Sequence, residues 1–114
     1  PKGDYRALTL DVAYRWDWRP RSPTWDANLG LSAAPGFAQF LKAHPKVPLF
    51  VASGYFDMTI PLTATRYSLT RPGMPVDRII FRDYRAGHTI GDDADARPLL
   101  VRDLRAFLSG KLAR

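Results

Sequence analysis

An aspartate and a histidine follow the two most strand-like segments of this 114-residue chain. Asp57 comes just after the apolar run at 47–53, and His88 comes just after the run at 78–84. In open α/β sheets functional groups gather at the carboxyl ends of the strands, so both side chains are expected at one edge. An aspartate that accepts the Nδ1–H of a histidine fixes its tautomer and stabilises the imidazolium formed during proton transfer. The spacing therefore predicts that Asp57 is an orienting acid and His88 a general base.

Such a pair needs a nucleophile, and no serine of the chain has a suitable setting. In α/β-hydrolases the order along the chain is Ser, Asp, His, and the serine lies in a G-x-S-x-G turn. That motif is missing from the sequence, and Ser32, in GLSAA, has no apolar strand before it and a Pro-Gly pair after it. Ser53 fails because Val51 and Tyr55 occupy the positions that need small residues. The nucleophile is therefore expected from an upstream segment or a partner chain.

Other titratable residues near these segments are predicted to be structural. Three acids precede the last predicted helix, where carboxylates cap and favour the N-terminus: Asp92, Asp93 and Asp95. Asp83 belongs to the second strand pattern, and His44 ends a helix, where a cation is favourable. A lone aspartate in a glycine-rich turn is usually a turn residue, so the catalytic interpretation depends on the two strand ends together.

Hydrophobic periodicity predicts the elements that position this pair. Helices are predicted at 35–44, from Pro61 to about Leu69, and at 97–112, where Asp103 is expected to point outward. With the two apolar strands between them, this alternation is typical of an α/β fold with a parallel sheet. Two such strands need neighbours, so the chain is predicted to be the C-terminal part of a larger α/β domain, incomplete on its own.

The first third of the chain differs in composition from the rest. Residues 1–34 are rich in aromatic residues and arginine, as in YRWDWRPRSPTW, and we expect them to pack on a main body formed by residues 35–114. Within the first part, 8–14 (LTLDVAY) is predicted to be a short strand or extended segment.

Composition excludes several classes of function. The chain has no cysteine and two distant histidines, so no metal site or cofactor is predicted. The net charge of +6 divides evenly, +3 in residues 1–50 and +3 in 51–114, without a run of five basic residues. Nucleic-acid binding is therefore not predicted, and the apolar runs are too short to span a membrane.

Two segments carry a family resemblance. GYFDMTIPLTATRYSL is similar to the segment around the catalytic acid in bacterial members of the serine carboxypeptidase family, a branch of the α/β-hydrolases. Six positions match: Gly54, Asp57, Thr59, Pro61, Tyr67 and Leu69. YRAGHTIG, followed by a helix that ends in LVRDLRAFL, resembles that family's catalytic-histidine segment and terminal helix. Together the resemblance covers roughly residues 35–112.

The resemblance implies the C-terminal part of an α/β-hydrolase fold, with parallel strands and flanking helices. Asp57 corresponds to the triad acid and His88 to the triad base of an enzyme that releases C-terminal residues from peptides, and a secreted or periplasmic location is implied. Thr89 departs from the family, which usually has methionine there. The family's serine, oxyanion-hole amides and carboxylate-binding Asn/Glu cluster have no counterpart in the sequence.

Two alternatives stay open at this point. An esterase, lipase or acyltransferase of the same fold would use the same acid and base. A non-enzymatic binding module, with exposed aromatic and arginine residues, would instead be a stable monomer with covered strand edges. The hydrolase interpretation predicts that the chain alone is inactive and associates through an exposed sheet edge or with its missing part.

Overall fold

Helices and strands alternate along the chain. The computed structural model describes Asp11, Arg15 and residues 33–113. In 33–113 the order of elements is α1 Ala34–Ala43, β1 Leu49–Gly54, α2 Leu62–Leu69, β2 Ile79–Tyr84 and α3 Ala96–Leu108. Short 3₁₀ turns, Val76–Arg78 and Ile90–Asp92, precede β2 and α3. The helices and strands predicted between residues 35 and 112 are confirmed, with ends that differ by a few residues.

The two strands form a parallel pair. Leu49 lies opposite Ile79 and Gly54 opposite Tyr84, without a break in register. The mixed α/β character and the parallel pairing are therefore confirmed. Among the described residues the sheet has only these two strands, so each strand leaves one edge without a strand partner.

One apolar cluster of the core lies at the carboxyl end of β2. Tyr84, Ala86 and Ala96 are buried together, and Ile90 and Leu100 pack against them. This cluster joins the end of the strand to the first turns of α3. The loop that carries His88 connects these two elements, so the cluster holds the two ends of that loop in place.

A single arginine closes the opposite end of the sheet. The Arg78 guanidinium donates to the carbonyl oxygens of Leu41 at 2.7 Å, His44 at 3.0 Å and Val47 at 3.2 Å. These carbonyls belong to the last turn of α1 and to the connection into β1, where a helix leaves acceptors without intrahelical partners. Arg78 thereby fixes α1 to the start of both strands.

Two expectations about the strands and the first residues need correction. Strand β1 is not buried on both faces: Leu49 to Val51 are half-buried and Ala52 is exposed, because the described helices cover the small sheet incompletely. The predicted extended segment at 8–14 is wrong at Asp11, which is helical. The other residues of that segment lie outside the described part of the chain. Of residues 1–34, which were predicted to pack on the main body, the structure describes Asp11, Arg15, Ala33 and Ala34, so this packing stays a prediction.

Among the described helices the longest, α3, has 13 residues. In the part of the chain that the structure describes, no helix is both long and apolar enough to span a membrane.

Candidate active site

The structure brings Asp57 and His88 into contact. Nδ1 of His88 lies 3.0 Å from Oδ2 of Asp57. The Asp57 side chain is 9% exposed, whereas the His88 side chain is 55% exposed. With Nδ1 bonded to the carboxylate, Nε2 is the nitrogen left for chemistry, and no described residue hydrogen-bonds to it. This is the arrangement in which a carboxylate sets the tautomer and orientation of a general base.

The Asp57 carboxylate is fixed by its own loop. Oδ1 accepts the backbone N–H groups of Thr59 at 2.8 Å and Ile60 at 2.9 Å, which leaves Oδ2 directed to His88. The Ile60 amide, and next the hydrogen bond with His88, hold the pKa of Asp57 below its ordinary value, against a smaller opposing effect of burial. Asp57 is therefore an ionised acceptor at neutral pH, as an orienting acid must be.

Backbone hydrogen bonds join the acid loop to the histidine loop beyond the strand ends. The N–H of Tyr55 donates to the Tyr84 carbonyl at 2.7 Å, and the N–H of Phe56 donates to the Ala86 carbonyl at 3.0 Å. The N–H of Ala86 also donates to the Tyr84 carbonyl, at 2.8 Å. The ladder of the parallel pair thus continues almost to His88, and both catalytic candidates sit on one joined backbone. We call residues 54–57 together with 84–88 the seam.

A buried side-chain pair anchors the seam to α3. The Tyr84 hydroxyl donates to Oδ2 of Asp103 at 2.9 Å, and both residues are buried. Burial, reinforced by the neighbouring Asp103, raises the pKa of Tyr84. Burial alone would raise the pKa of Asp103, but hydrogen bonds from Tyr84 and Arg102 outweigh it and lower the value. A neutral phenol therefore donates to an ionised carboxylate, the stronger kind of hydrogen bond.

The other acids and His44 have structural contacts. Oδ1 of Asp93 accepts the amides of Asp95 at 3.0 Å and Ala96 at 2.8 Å, so Asp93 caps α3 as predicted. Asp95 occupies the N-cap position without a capping side-chain bond, and Asp92 lies in the preceding 3₁₀ turn, so neither caps the helix in the way expected.

Asp83 and His44 also lie where the sequence placed them. Asp83 in β2 forms an ion pair with Arg66 of α2, at 2.6 Å. His44 ends α1, where its backbone N–H donates to the Phe40 carbonyl at 3.0 Å. The centres of the His44 and Phe40 rings are 4.6 Å apart. Neither residue contacts the Asp57–His88 pair among the described contacts.

The loop that carries Asp57 exposes apolar side chains. Four large ones are solvent-exposed on it: Tyr55, Phe56, Met58 and Ile60. Met58, next to Asp57, is 90% exposed. Arg85 of the histidine loop lies over Phe56, with its guanidinium carbon 5.9 Å from the ring centre. Exposed apolar surface next to a candidate base is typical of a surface that is covered when a substrate or a partner binds.

The described residues bring the acid to the base, but no described serine or threonine hydroxyl hydrogen-bonds to His88. Ser68 lies in α2. Ser53 is buried in β1, and the Ser109 hydroxyl donates to helix carbonyls at the end of α3. Ser32 lies outside the described residues. Within 33–113 no group of three or more His, Asp, Glu or Cys side chains is arranged to hold a metal ion.

Sequence reasoning missed two supports of the site. Asp103 was expected on the outer face of its helix but is buried against Tyr84, 19 residues away in the chain. Gly54 was noted only as a matching position, although a side chain there would collide with the histidine loop. Both roles depend on contacts between distant segments, which helical or strand periodicity does not encode. For Asp103 the sequence offered one indication of burial, because this acidic residue lies next to the apolar stripe of its helix.

Comparisons with known proteins add no relative. No protein-family model, no curated protein and no solved structure matches the chain. The resemblance to the serine carboxypeptidase family therefore stays a prediction, and the case for a function depends on the geometry of Asp57 and His88.

Proposed function

We propose that this chain carries the acid and the base of a serine-type hydrolase, in the C-terminal part of an α/β-hydrolase fold. The observation that carries the proposal is the 3.0 Å contact between His88 Nδ1 and a carboxylate whose other oxygen is held by two backbone amides. A turn aspartate with only a local role would not need to direct its second oxygen at an exposed imidazole. The order of Asp57 before His88, at the ends of neighbouring parallel strands, is that of the fold.

The chemistry follows from which ring nitrogen is bonded. Nε2 of His88 accepts the proton of a serine hydroxyl as its Oγ forms a bond to the substrate carbonyl carbon. Asp57 stabilises the imidazolium that results and keeps Nε2 directed at the reacting atoms. The same proton then passes to the leaving amine or alcohol as the bond to the carbonyl carbon breaks. Water then releases the acyl group. His88 takes a proton from the water as its oxygen bonds to the acyl carbon, and it returns a proton to the serine Oγ as the bond from Oγ to that carbon breaks.

The serine comes, in this proposal, from an upstream segment or a partner chain. Large apolar side chains are exposed on α1 and α3, among them Phe37, Phe40, Leu104 and Leu108. Each strand also has an edge without a strand partner among the described residues. Exposed apolar faces and open strand edges are the surfaces on which further strands and helices pack. We infer from these surfaces that a further part of the domain covers them and brings the nucleophile to His88.

The substrate class within this proposal is a peptide with a free C-terminus, by the resemblance to the serine carboxypeptidases. An esterase, lipase or acyltransferase would use Asp57 and His88 in the same way. A panel of C-terminal peptides and simple esters, offered to the protein that contains the serine, separates these reactions by their relative kcat/KM.

A serine-directed fluorophosphonate tests the proposal. The chain alone should not be labelled, because no described serine hydrogen-bonds to His88. The same chain joined to, or mixed with, the part that supplies the nucleophile should be labelled at one serine, and hydrolysis of the panel should appear together with labelling. Equal labelling of the chain alone at any of its described serines, Ser53, Ser68 or Ser109, would contradict the proposal.

A further inference from the structure

Gly54 lies where the acid loop and the histidine loop cross. It is the last residue of β1 and lies opposite Tyr84 in the register. A methyl group at Gly54 would lie 2.7 Å from the Ala86 carbonyl oxygen and 2.9 Å from the Gly87 carbonyl carbon. It would come closer still to the Gly87 carbonyl oxygen, well inside van der Waals contact. The histidine loop therefore occupies the space where any other residue would place its Cβ.

The need for glycine here is one of space and not of backbone conformation. Among the described glycines, positive φ angles occur at Gly73 and Gly110 and not at Gly54. The atoms that a methyl group would meet belong to the backbone, so no side-chain rotation can relieve the clash. An alanine at this position must move one loop away from the other, because packed backbones have no free volume to absorb it.

Both loops lead directly from this crossing to the candidate acid and base. The Asp57 N–H donates to the Gly54 carbonyl at 3.1 Å, and Gly87 is the residue before His88. The hydrogen bond from the Phe56 N–H to the Ala86 carbonyl joins the two loops, and any separation of the loops would lengthen it. We propose that Gly54 is a positioning residue: its missing side chain lets the Gly87 backbone close over the end of β1 and so brings His88 to Asp57.

The catalytic meaning of this inference rests on the proposed function, but its test does not need catalysis. In Gly54→Ala the contact between His88 and Asp57 should be lost, while the Thr59 and Ile60 amides still hold the carboxylate. The pKa of Asp57, followed through its side-chain ¹³C resonance, should then rise partway towards its ordinary value. His88→Ala should raise it by a similar amount, and Gly54→Ala combined with His88→Ala should add no further rise.

The chain offers two matched controls. A methyl group at Gly36 or Gly91, both outside the seam, would meet no atom within 4 Å, and neither glycine has a positive φ. Gly36→Ala and Gly91→Ala should therefore leave the Asp57 titration unchanged. In the protein that contains the serine, Gly54→Ala should lower kcat with little change in KM, by up to about 10²-fold, the size of effect that a displacement near 1 Å produces.

Three results would overturn the positioning role. One is an unchanged Asp57 titration in folded Gly54→Ala, and a second is a rise that adds fully to that of His88→Ala. The third is a Gly54→Ala chain that does not fold while both control variants do, which would make Gly54 a general packing residue. A non-additive Asp57 titration, together with no hydrolase activity in the protein that contains the serine, would instead support the positioning role and refute the proposed function.

Discussion

The seam and the outer faces of the helices differ sharply in how completely they are partnered. At the seam, backbone bonds from Tyr55 and Phe56 and the buried Tyr84–Asp103 pair hold the strand ends and the last helix together. On the outer faces of α1 and α3, large apolar side chains such as Phe40 and Leu108 are exposed. Among the described residues, hydrogen bonds therefore join the strand ends that carry Asp57 and His88, whereas the apolar side chains of α1 and α3 remain exposed. The proposed acid–base pair depends on the first region, and the proposed further part of the domain would cover the second.

The largest expected effect comes from removing the charge of the Asp57 carboxylate. Asp57→Asn keeps the size of the side chain but replaces the ionised acceptor of the His88 Nδ1–H by an amide, which favours the wrong tautomer. In the protein that contains the serine, kcat should fall by about 10⁴-fold, as for the loss of an orienting aspartate from a triad. Steady-state kinetics measure this loss. Asp83→Asn, which breaks a surface ion pair with Arg66, is the control and should keep nearly full activity.

The same substitution at two leucines compares the partnered and unpartnered regions directly. Leu41 is 1% exposed and Leu108 is 82% exposed. Leu41→Ala should lower the free energy of unfolding by about 2–5 kcal/mol, because it removes buried contacts and leaves a cavity. Leu108→Ala should change it by less than about 0.5 kcal/mol, as for other exposed positions. Urea unfolding monitored by circular dichroism measures both, and equal losses would mean that the outer face of α3 is already covered.

Tyr84→Phe tests the anchor between the seam and α3. It removes one donor from the buried Asp103 carboxylate, and the expected loss is about 1–3 kcal/mol of unfolding free energy. Tyr67→Phe is the matched control, because Tyr67 is exposed and its hydroxyl accepts, among the described residues, from Arg71 alone. Denaturant melts of the two variants should differ clearly. Similar melts would show that the Tyr84–Asp103 bond contributes no more than a surface contact.

The smallest effect concerns acid pH. The pKa of Asp57 is lowered in the folded chain, so the unfolded chain takes up the proton at higher pH than the folded one. The stabilisation by its hydrogen bonds is therefore fully present above the ordinary aspartate pKa and is lost as pH falls through the lowered value. Unfolding free energy, measured from neutral pH downward, should decline less steeply in Asp57→Asn than in the native chain. Parallel declines would contradict this role of the carboxylate.

Local signals in the sequence predicted the elements well and their ends less well. Apolar runs and helical periodicity were enough for β1, β2 and α3, because each element contains an apolar run or stripe, although β1 is only half-buried and Leu108 of α3 is exposed. Strand β1 begins at Leu49 and not at 47, since Pro48 has no N–H for the ladder. Helix α3 ends at Leu108 and not at 112, because Gly110, with φ of 69°, adopts the left-handed conformation that closes a helix.

The candidate site was predictable in its two central residues and not in its supports. Asp57 and His88 follow apolar runs, and parallel strands bring their carboxyl ends to one edge, so sequence order alone placed them together. The space at Gly54 and the bond from Tyr84 to Asp103 depend on segments 19 or more residues apart meeting at atomic distances. Such contacts follow from the folded backbone and leave no periodic trace in the chain.

The most direct measurement compares the two histidines of the chain in the protein that contains the serine. His88→Ala should lower kcat/KM by at least about 10²- to 10⁴-fold, because the general base is lost. His44→Ala, which alters the end of α1 and removes a ring contact with Phe40, should keep activity near that of the native protein. Full activity in His88→Ala, or an equal loss in both variants, would contradict the account that Asp57 and His88 form the acid–base half of a hydrolase.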